Sequence, residues 1–203
     1  FVQAESALLS SSYSRGLCDV YKRHTPSTSR PYRYSGISKW PSPSPPSRVG
    51  DVFTAPTRDG VDGEVHFDLP LYRYGREIDG VRLRFEDGEV VSHSAERNED
   101  LLTGILDTDE GARRLGELGI GMNRGIDRFT DSILFYEKMG DTVHLAVGRA
   151  YDANLPEGEE GNDSAVHVDM ITDVSEDSRL EVDGEVVQRN GVFRSEDGFE
   201  GSP

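Results

Sequence analysis

The stretch AVHVDM, residues 165–170, places His167 and Asp169 two positions apart in an apolar run. Side chains alternate along a β-strand, so the imidazole and the carboxylate would face the same way. Together they suit a borderline divalent ion such as zinc or cobalt. A buried histidine satisfied by a carboxylate partner would produce the same pattern, so the pair alone leaves both interpretations open.

Further groups along the chain could join this pair. His144 lies in the apolar run TVHLAVG, and a histidine buried among valine and leucine needs a polar partner. Tyr151 follows it and carries a hydroxyl group. Glu117 lies in GELGIG, between small residues at the expected end of a helix, where an ordinary helix-face carboxylate would also fit. A metal site is favoured if the fold brings these groups together.

Apolar patterning predicts the strands that would position them. EVHFDLP (64–70) alternates as a half-buried strand, and VRLRFEDGEVV (81–91) turns at an Asp-Gly pair as a hairpin. DTVHLAVGRAY (141–151) and SAVHVDMITDV (164–174) are apolar enough for interior strands. RLEVDGEVVQRNGVF (179–193) contains Asp-Gly and Asn-Gly turns and predicts a second set of hairpin strands.

Two segments between the strands are typical of short helices. They are NEDLLTGIL (98–106) and TDEGARRLGEL (108–118), with Asp107 as the expected N-cap of the second and Glu110 three residues on. The sequence therefore predicts an α+β fold, a mostly antiparallel sheet with a few helices, preceded by an irregular Ser/Pro/Arg-rich segment.

That leading segment, residues 1–49, differs sharply in composition from the rest of the chain. It holds two of the 38 acidic residues and seven of the 22 basic ones, with PSPSPPS at 41–47. Such composition favours an irregular leader. A flexible linker is one interpretation, and mispredicted or out-of-frame sequence ahead of a truncated domain is the other. We expect a domain over 50–194 and a frayed tail over 195–203.

The net charge of −16 argues against binding to a nucleic-acid backbone, which needs a basic footprint. Acidic residues are spread along the chain and lysines are few, which favours adaptation to concentrated salt over an acidic tail. A single cysteine, Cys18, excludes an internal disulfide framework. With neither a signal-peptide pattern nor a long apolar run, the sequence predicts a cytoplasmic protein without membrane or nucleic-acid partners.

Several ordered motifs resemble those of one enzyme family. They are VFTAP (52–56), GARRLGELGIG (111–121), EKMGDTVHLAVGRAY (137–151), NDSAVHVDM (162–170) and VDGEVV (182–187). They resemble the catalytic domain of the M29 metallo-aminopeptidases, the thermophilic AmpS/AmpT type. The resemblance runs from about Gly50 to about Phe193 and corresponds to the C-terminal half of such an enzyme. The N-terminal α/β domain of the family is not recognisable in the preceding segment.

The resemblance implies a set of metal ligands. Glu117 corresponds to the carboxylate that bridges two metal ions, and His144, His167 and Asp169 correspond to terminal ligands. The remaining ligand of the family is a glutamate in GEVFTAP. Here the stretch is GDVFTAP, so Asp51, one methylene shorter, takes that place.

The resemblance also implies a mechanism. Two divalent ions, zinc or cobalt in the first place and magnesium or manganese as alternatives, would activate a shared water to release the first residue of peptides with a free N-terminus. Tyr151 would stabilise the tetrahedral intermediate, and Glu117 would act from its bridging position. Apart from the resemblance, Glu137 is an acid close to His144 in the sequence and is a candidate base or a residue that supports the ligands. Tyr136 stands where the family usually has aspartate. A homodimer is implied by the family alone.

Two alternatives remain open at this stage. The chain could be a truncated, catalytically inactive piece of such an enzyme, since Asp51 replaces glutamate and half of the enzyme is not recognisable. It could also be an acidic binding domain without metal, whose carboxylates are solvated surface groups. The two are separated by whether the predicted ligands converge and hold an ion.

Overall fold

The computed structural model describes residues 16–22, 33–37, 50–126, 133–151, 155, 160–182, 184–194 and 196–199. Their β-strands are, in chain order, β1 (Gly16–Lys22), β2 (Arg33–Ile37), β3 (Asp51–Thr54), β4 (Val61–Phe67), β5 (Leu71–Arg73), β6 (Arg76–Ile78), β7 (Val81–Glu86), β8 (Glu89–Ser94), β9 (Leu115–Gly121), β10 (Thr142–Gly148), β11 (His167–Asp173), β12 (Ser178–Val182), β13 (Glu185–Arg189) and β14 (Val192–Phe193). The helices are α1 (Glu99–Leu106), a 3-10 turn (Glu110–Arg113) and α2 (Ile133–Tyr136).

The strands form mostly antiparallel sheets, as the sequence predicts. A large sheet has the order β14-β13-β12-β1-β2-β4-β7-β8, and a smaller one has the order β11-β10-β9-β3, beside the β5-β6 hairpin. Every pairing between the described strands is antiparallel. Of the helices that the structure describes, none has the length and apolar content needed to cross a bilayer.

One apolar core lies between these layers. Phe67, Leu83 and Phe85 of the large sheet are buried in it together with Leu145 and Met170 of the smaller sheet. Helix α1 adds its apolar face, formed by Leu102, Ile105 and Leu106. The burial of these side chains fixes which face of the smaller sheet is left to carry polar groups.

The predicted helix over 108–118 is wrong. Its first part is a single 3-10 turn capped by Asp109, whose carboxylate accepts a hydrogen bond from Ala112 N at 2.9 Å. Asp107, the expected cap, instead follows helix α1 as its C-cap. Glu117 therefore lies on the buried strand β9 and not at the end of a helix.

The leading segment contributes two described strands in spite of its composition. Strand β1 pairs with β12, and β2 pairs with β4. A strand ladder needs only backbone donors and acceptors, so a Ser/Pro/Arg-rich context does not prevent it. The rest of residues 1–49, and residues 195 and 200–203 of the predicted tail, lie outside the described residues.

Candidate metal centre

The smaller sheet places all the predicted metal ligands on one of its faces. Ala146 in the central strand β10 pairs with Glu117 on one side and with Asp169 on the other, so the two carboxylates flank a methyl group. Paired residues of an antiparallel sheet share a face, and so do alternate residues along a strand. The same register therefore adds the remaining members of the set: Asp51, His144 and His167.

Three of these side chains converge most closely. Glu117, His167 and Asp169 each offer a ligand atom, and these atoms lie within 4.8 Å of one another. His167 Nε2 and Asp169 Oδ1 are 3.6 Å apart. Asp169 Oδ1 is buried and accepts no hydrogen bond within the described part of the chain. Burying a carboxylate oxygen without a hydrogen bond is costly, and a divalent cation would offset that cost more closely than the ion pair with His167 at 3.6 Å.

The orientation of His167 also suits a metal ligand. Its Nδ1 donates a hydrogen bond to the Arg149 carbonyl oxygen at 2.7 Å, which directs Nε2 towards Asp169. Fixing one ring nitrogen on a backbone carbonyl is a common way to present the other to a metal. The donor set, one imidazole and two carboxylates, therefore fits a divalent ion such as zinc or cobalt.

His144 lies next to this group, on the far side of Glu117. Its ring is fully buried, and its Nε2 lies 3.3 Å from Glu117 Oε1. The ring faces Gly119 on β9, where an added Cβ would lie only 1.9 Å from Nε2. The glycine therefore makes the room in which the histidine reaches Glu117, and Glu117 lies between His144 and the other ligands.

Asp51 behaves differently from the other predicted ligands. It lies outside the group of three, and its Oδ2 is 3.6 Å from the Nζ of Lys138. Lys138 Nζ also contacts Glu137, the candidate base, at close range. The structure thus divides the predicted residues into a triad joined by His144 and a lysine-centred cluster of Asp51 and Glu137.

Tyr151 and Tyr136 border the ligand face. The Tyr151 ring lies 4.8 Å from the His167 ring and its side chain is half-exposed, so its hydroxyl can meet a ligand arriving from solvent. Tyr136 is buried, and burial together with the nearby charges of Asp169 and Glu137 raises the pKa of its phenol to about 12. It therefore remains protonated over the whole neutral range.

Sequence reasoning missed two residues that shape the site. Asp109 accepts hydrogen bonds from Ser164 Oγ at 2.8 Å and Ala165 N at 2.7 Å, and so anchors the segment that leads into His167. The sequence did carry a signal for Asp109, because aspartate is a preferred residue just before the first turn of a helix, where its side chain accepts a hydrogen bond from a backbone N–H of that turn. Lys138 carries no local signal, since its partner Asp51 is remote in the sequence.

The charges of the triad are coupled. Burial lowers the pKa of His167, but the Asp169 carboxylate beside it outweighs burial and raises the pKa to about 9. Burial alone would raise the pKa of Asp169, but the His167 imidazole has the larger effect. The pKa of this carboxyl therefore lies below its ordinary value of 3.8. Near neutral pH the metal-free site therefore holds an imidazolium next to an ionised carboxylate.

We expect cation binding at this site to strengthen as pH rises. An ion must displace the Nε2 proton of His167, so its apparent affinity changes about tenfold per pH unit below the pKa of about 9. Asp169 is already ionised in that range and adds no pH dependence. Titration with Co²⁺ at about pH 6 and about pH 8 should differ by roughly 100-fold in Kd.

The same experiment has an independent readout. Binding near pH 7 should release about one proton from His167, which calorimetry in buffers of different ionisation enthalpy measures. Without metal, the raised pKa stabilises the fold below about pH 6.5, and this contribution disappears as pH rises through about 9. An affinity that does not change with pH would show that the ion does not displace the Nε2 proton of His167.

Comparison with known proteins bears on this geometry. The sequence matches the family described as thermophilic metalloprotease (M29) over residues 45–194. It is 39% identical over 160 residues to aminopeptidase 2 from Geobacillus stearothermophilus, covering 71% of this chain and 38% of that protein. It is 40% identical over 146 residues to aminopeptidase T from Thermus aquaticus, covering 66% of this chain and 35% of the relative.

Solved structures give the same picture. Wild-type AmpT from Thermus thermophilus superimposes with a TM-score of 0.67 at 30% identity, over 88% of this chain and 49% of that one. A 2,5-dihydroxypyridine dioxygenase from Pseudomonas putida KT2440, at TM-score 0.63 and 14% identity over 97% of this chain and 58% of that one, shares the fold alone. The chain thus spans less than half the length of the aminopeptidases it matches. With the family match extending through strands β3 to β14, the chain belongs to the thermophilic metalloprotease (M29) family.

Proposed function

We propose that this chain carries the catalytic site of a metal-dependent aminopeptidase, which uses two divalent ions, zinc or cobalt, to release N-terminal amino acids from peptides. The observation that carries the proposal is the convergence of Glu117, His167 and Asp169 in a chain of a metalloprotease family. Asp169 Oδ1 supports it, because this buried atom makes no hydrogen bond in the described structure and could be satisfied by a cation closer than His167 Nε2. When bound, the ions would supply Lewis acidity and bring the pKa of a water molecule down towards about 7.

Glu117 would serve both ions. It contacts His144 on one side and belongs to the triad with His167 and Asp169 on the other. Its side chain is buried on a strand, so packing fixes its orientation before substrate arrives. A rigid carboxylate between two groups of ligands is what a bridging role requires.

Proton transfer and charge stabilisation fall to residues at the edge of the site. Glu137 is a partly buried carboxylate on the turn after α2, and it would take the proton of the attacking water and pass it to the leaving amine. The half-exposed Tyr151 would donate its hydroxyl hydrogen to the oxyanion that develops on the scissile carbonyl. A preorganised donor of this kind contributes about 3–4 kcal/mol to the transition state.

A free amino group on the substrate could take part in binding to the metal-loaded site. The four carboxylates on or beside the face, Asp51, Glu117, Glu137 and Asp169, would be neutralised by two divalent ions, so charge attraction would not select the substrate. A free amino group could offer its nitrogen as a ligand to an ion, whereas the nitrogen of an acetylated N-terminus could not. This would explain cleavage from the end of a chain over cleavage within it.

A peptidase assay on the purified chain tests the proposal. After chelation and reloading with Co²⁺ or Zn²⁺, we expect hydrolysis of leucine p-nitroanilide but not of its N-acetylated form, which serves as the matched control. Chelated protein should be inactive. A chain that binds metal without turnover would support the inactive-fragment alternative, and a chain that binds no metal would support the acidic binding domain.

A further inference from the structure

The cluster of Asp51, Lys138 and Glu137 carries an inference about how the site fills with metal. The side chains of Asp51 and Lys138 are only 9% and 13% exposed, and their charged atoms are 3.6 Å apart. We propose that Lys138 is a built-in competitor for the second divalent ion. Its ammonium group occupies the carboxylates of Asp51 and Glu137, so the triad fills first and the Asp51 side fills only when Lys138 is displaced. The inference rests on the proposed function.

Two hydrogen bonds hold the backbone of Lys138 in place beside the sheet. Asn123 N donates a hydrogen bond to the Lys138 carbonyl oxygen at 2.9 Å, and Lys138 N donates to Phe135 O at 3.2 Å. Gly121, which pairs with Asp51, lets this turn lie on the sheet, because a Cβ there would be 1.8 Å from Met139 O. The turn that carries Lys138 is therefore packed directly beside Asp51.

The two halves of the ligand face differ in the group that lies beside their aspartate. At the triad that group is His167, whose Nε2 lies 3.6 Å from Asp169 Oδ1 and is itself one of the ligand atoms. At Asp51 it is Lys138, whose ammonium group has no lone pair and cannot become a ligand. Two cations at such a separation repel strongly where solvent screening is weak. The second ion must therefore push Lys138 away before Asp51 can bind it.

The length of the acid strengthens this argument. Asp51 lies at the start of strand β3, and its short side chain keeps the carboxylate close to that strand. Lysine has a long flexible stem that reaches such a carboxylate easily. A divalent ion demands a closer and more strictly oriented contact. The short acid therefore favours the lysine in this competition.

A metal titration tests the proposal without relying on activity. The chelated 203-residue chain is titrated with Co²⁺ by calorimetry and by visible absorption. In the unmodified chain we expect one tight ion and one weak ion. Lys138→Met removes the charge and keeps an unbranched stem, and it should tighten the second ion at least about tenfold, or ~1.4 kcal/mol, while leaving the first within about twofold.

Two matched variants define the cause. Arg76→Met removes an equal charge from an exposed arginine that pairs with Asp100, and it should leave both affinities unchanged. Asp51→Asn in the Lys138→Met background should abolish the gain, because the second ion then loses its carboxylate. A gain in the Arg76→Met chain of equal size would overturn the proposal by showing that net charge alone is responsible.

Labelling of the unmodified chain gives a test that needs no variant to fold. Displacement of Lys138 should increase its modification by an amine-reactive reagent as the second equivalent of Co²⁺ is added, followed by peptide mass spectrometry. Lys22 and Lys39 serve as internal references. Unchanged labelling of Lys138 with two ions bound, or an unchanged second affinity in Lys138→Met, would overturn the competitor role while leaving the proposed function standing. Failure of Co²⁺ to bind at the triad would overturn both.

Discussion

Replacing His167 with alanine is expected to eliminate cation binding at the triad while the chain remains folded. The substitution removes the imidazole that lies 3.6 Å from Asp169, so only the carboxylates of Glu117 and Asp169 remain in the triad. Loss of an outer hydrogen-bond partner alone typically costs 10–100-fold in metal affinity, so loss of a ligand should exceed roughly 100-fold. Metal content after equilibrium dialysis measures the loss, and circular dichroism verifies the fold.

His93→Ala is the matched control for this experiment. His93 is also partly buried and hydrogen-bonded, with its Nε2 2.8 Å from Thr103 Oγ1, but it lies on β8 of the large sheet. We expect its replacement to leave metal content unchanged. A His167→Ala chain that kept its full metal content would refute the ligand assignment.

Replacing Gly119 with alanine is expected to disrupt the site from within the sheet. The new Cβ would lie 1.9 Å from Nε2 of His144, whose side chain is completely buried. The ring must leave its place beside Glu117 or the strands must separate, and overpacking of this kind costs about 1–3 kcal/mol. Urea denaturation of the metal-free protein measures the cost, and a Co²⁺ titration should show weaker binding.

Gly104→Ala provides the matched glycine substitution. Gly104 lies exposed in helix α1, and no described atom lies within 4 Å of an added Cβ. Alanine should stabilise that helix by roughly 0.5–1 kcal/mol, since glycine is the poorer helix former. If the two variants unfolded at the same urea concentration, Gly119 would not be needed for the packing of His144.

Local features of the fold were predictable from the sequence. The turns at Asp87-Gly88 and Asn190-Gly191 connect adjacent strands, as their residue types indicate, with positive φ at each of these positions. The interior strands that carry His144 and His167 were also predicted correctly. These features depend on turn chemistry and on alternation, which act over a few residues.

The error over 108–118 has a non-local cause. A Cβ at Gly111 would lie 1.9 Å from Asp163 O, and one at Gly116 would lie 2.4 Å from Gly148 O. Both glycines are there because remote backbone segments approach them closely, which no local pattern reveals. Because this segment pairs closely with strand β10, Glu117 lies in strand β9 and its side chain points to the ligand face.

The sequence by itself determined the family, the kinds of group in the site and the strands that carry most of them, because motif identity and apolar periodicity are written locally along the chain. Only the tertiary structure decided which of those groups lie in the triad and which lie beside Lys138. The strand register around Ala146 places Glu117 and Asp169 on either side of it. The packing of a turn on Gly121 places Lys138 next to Asp51. Such divisions depend on distances between remote segments, which are set by sheet register and core packing.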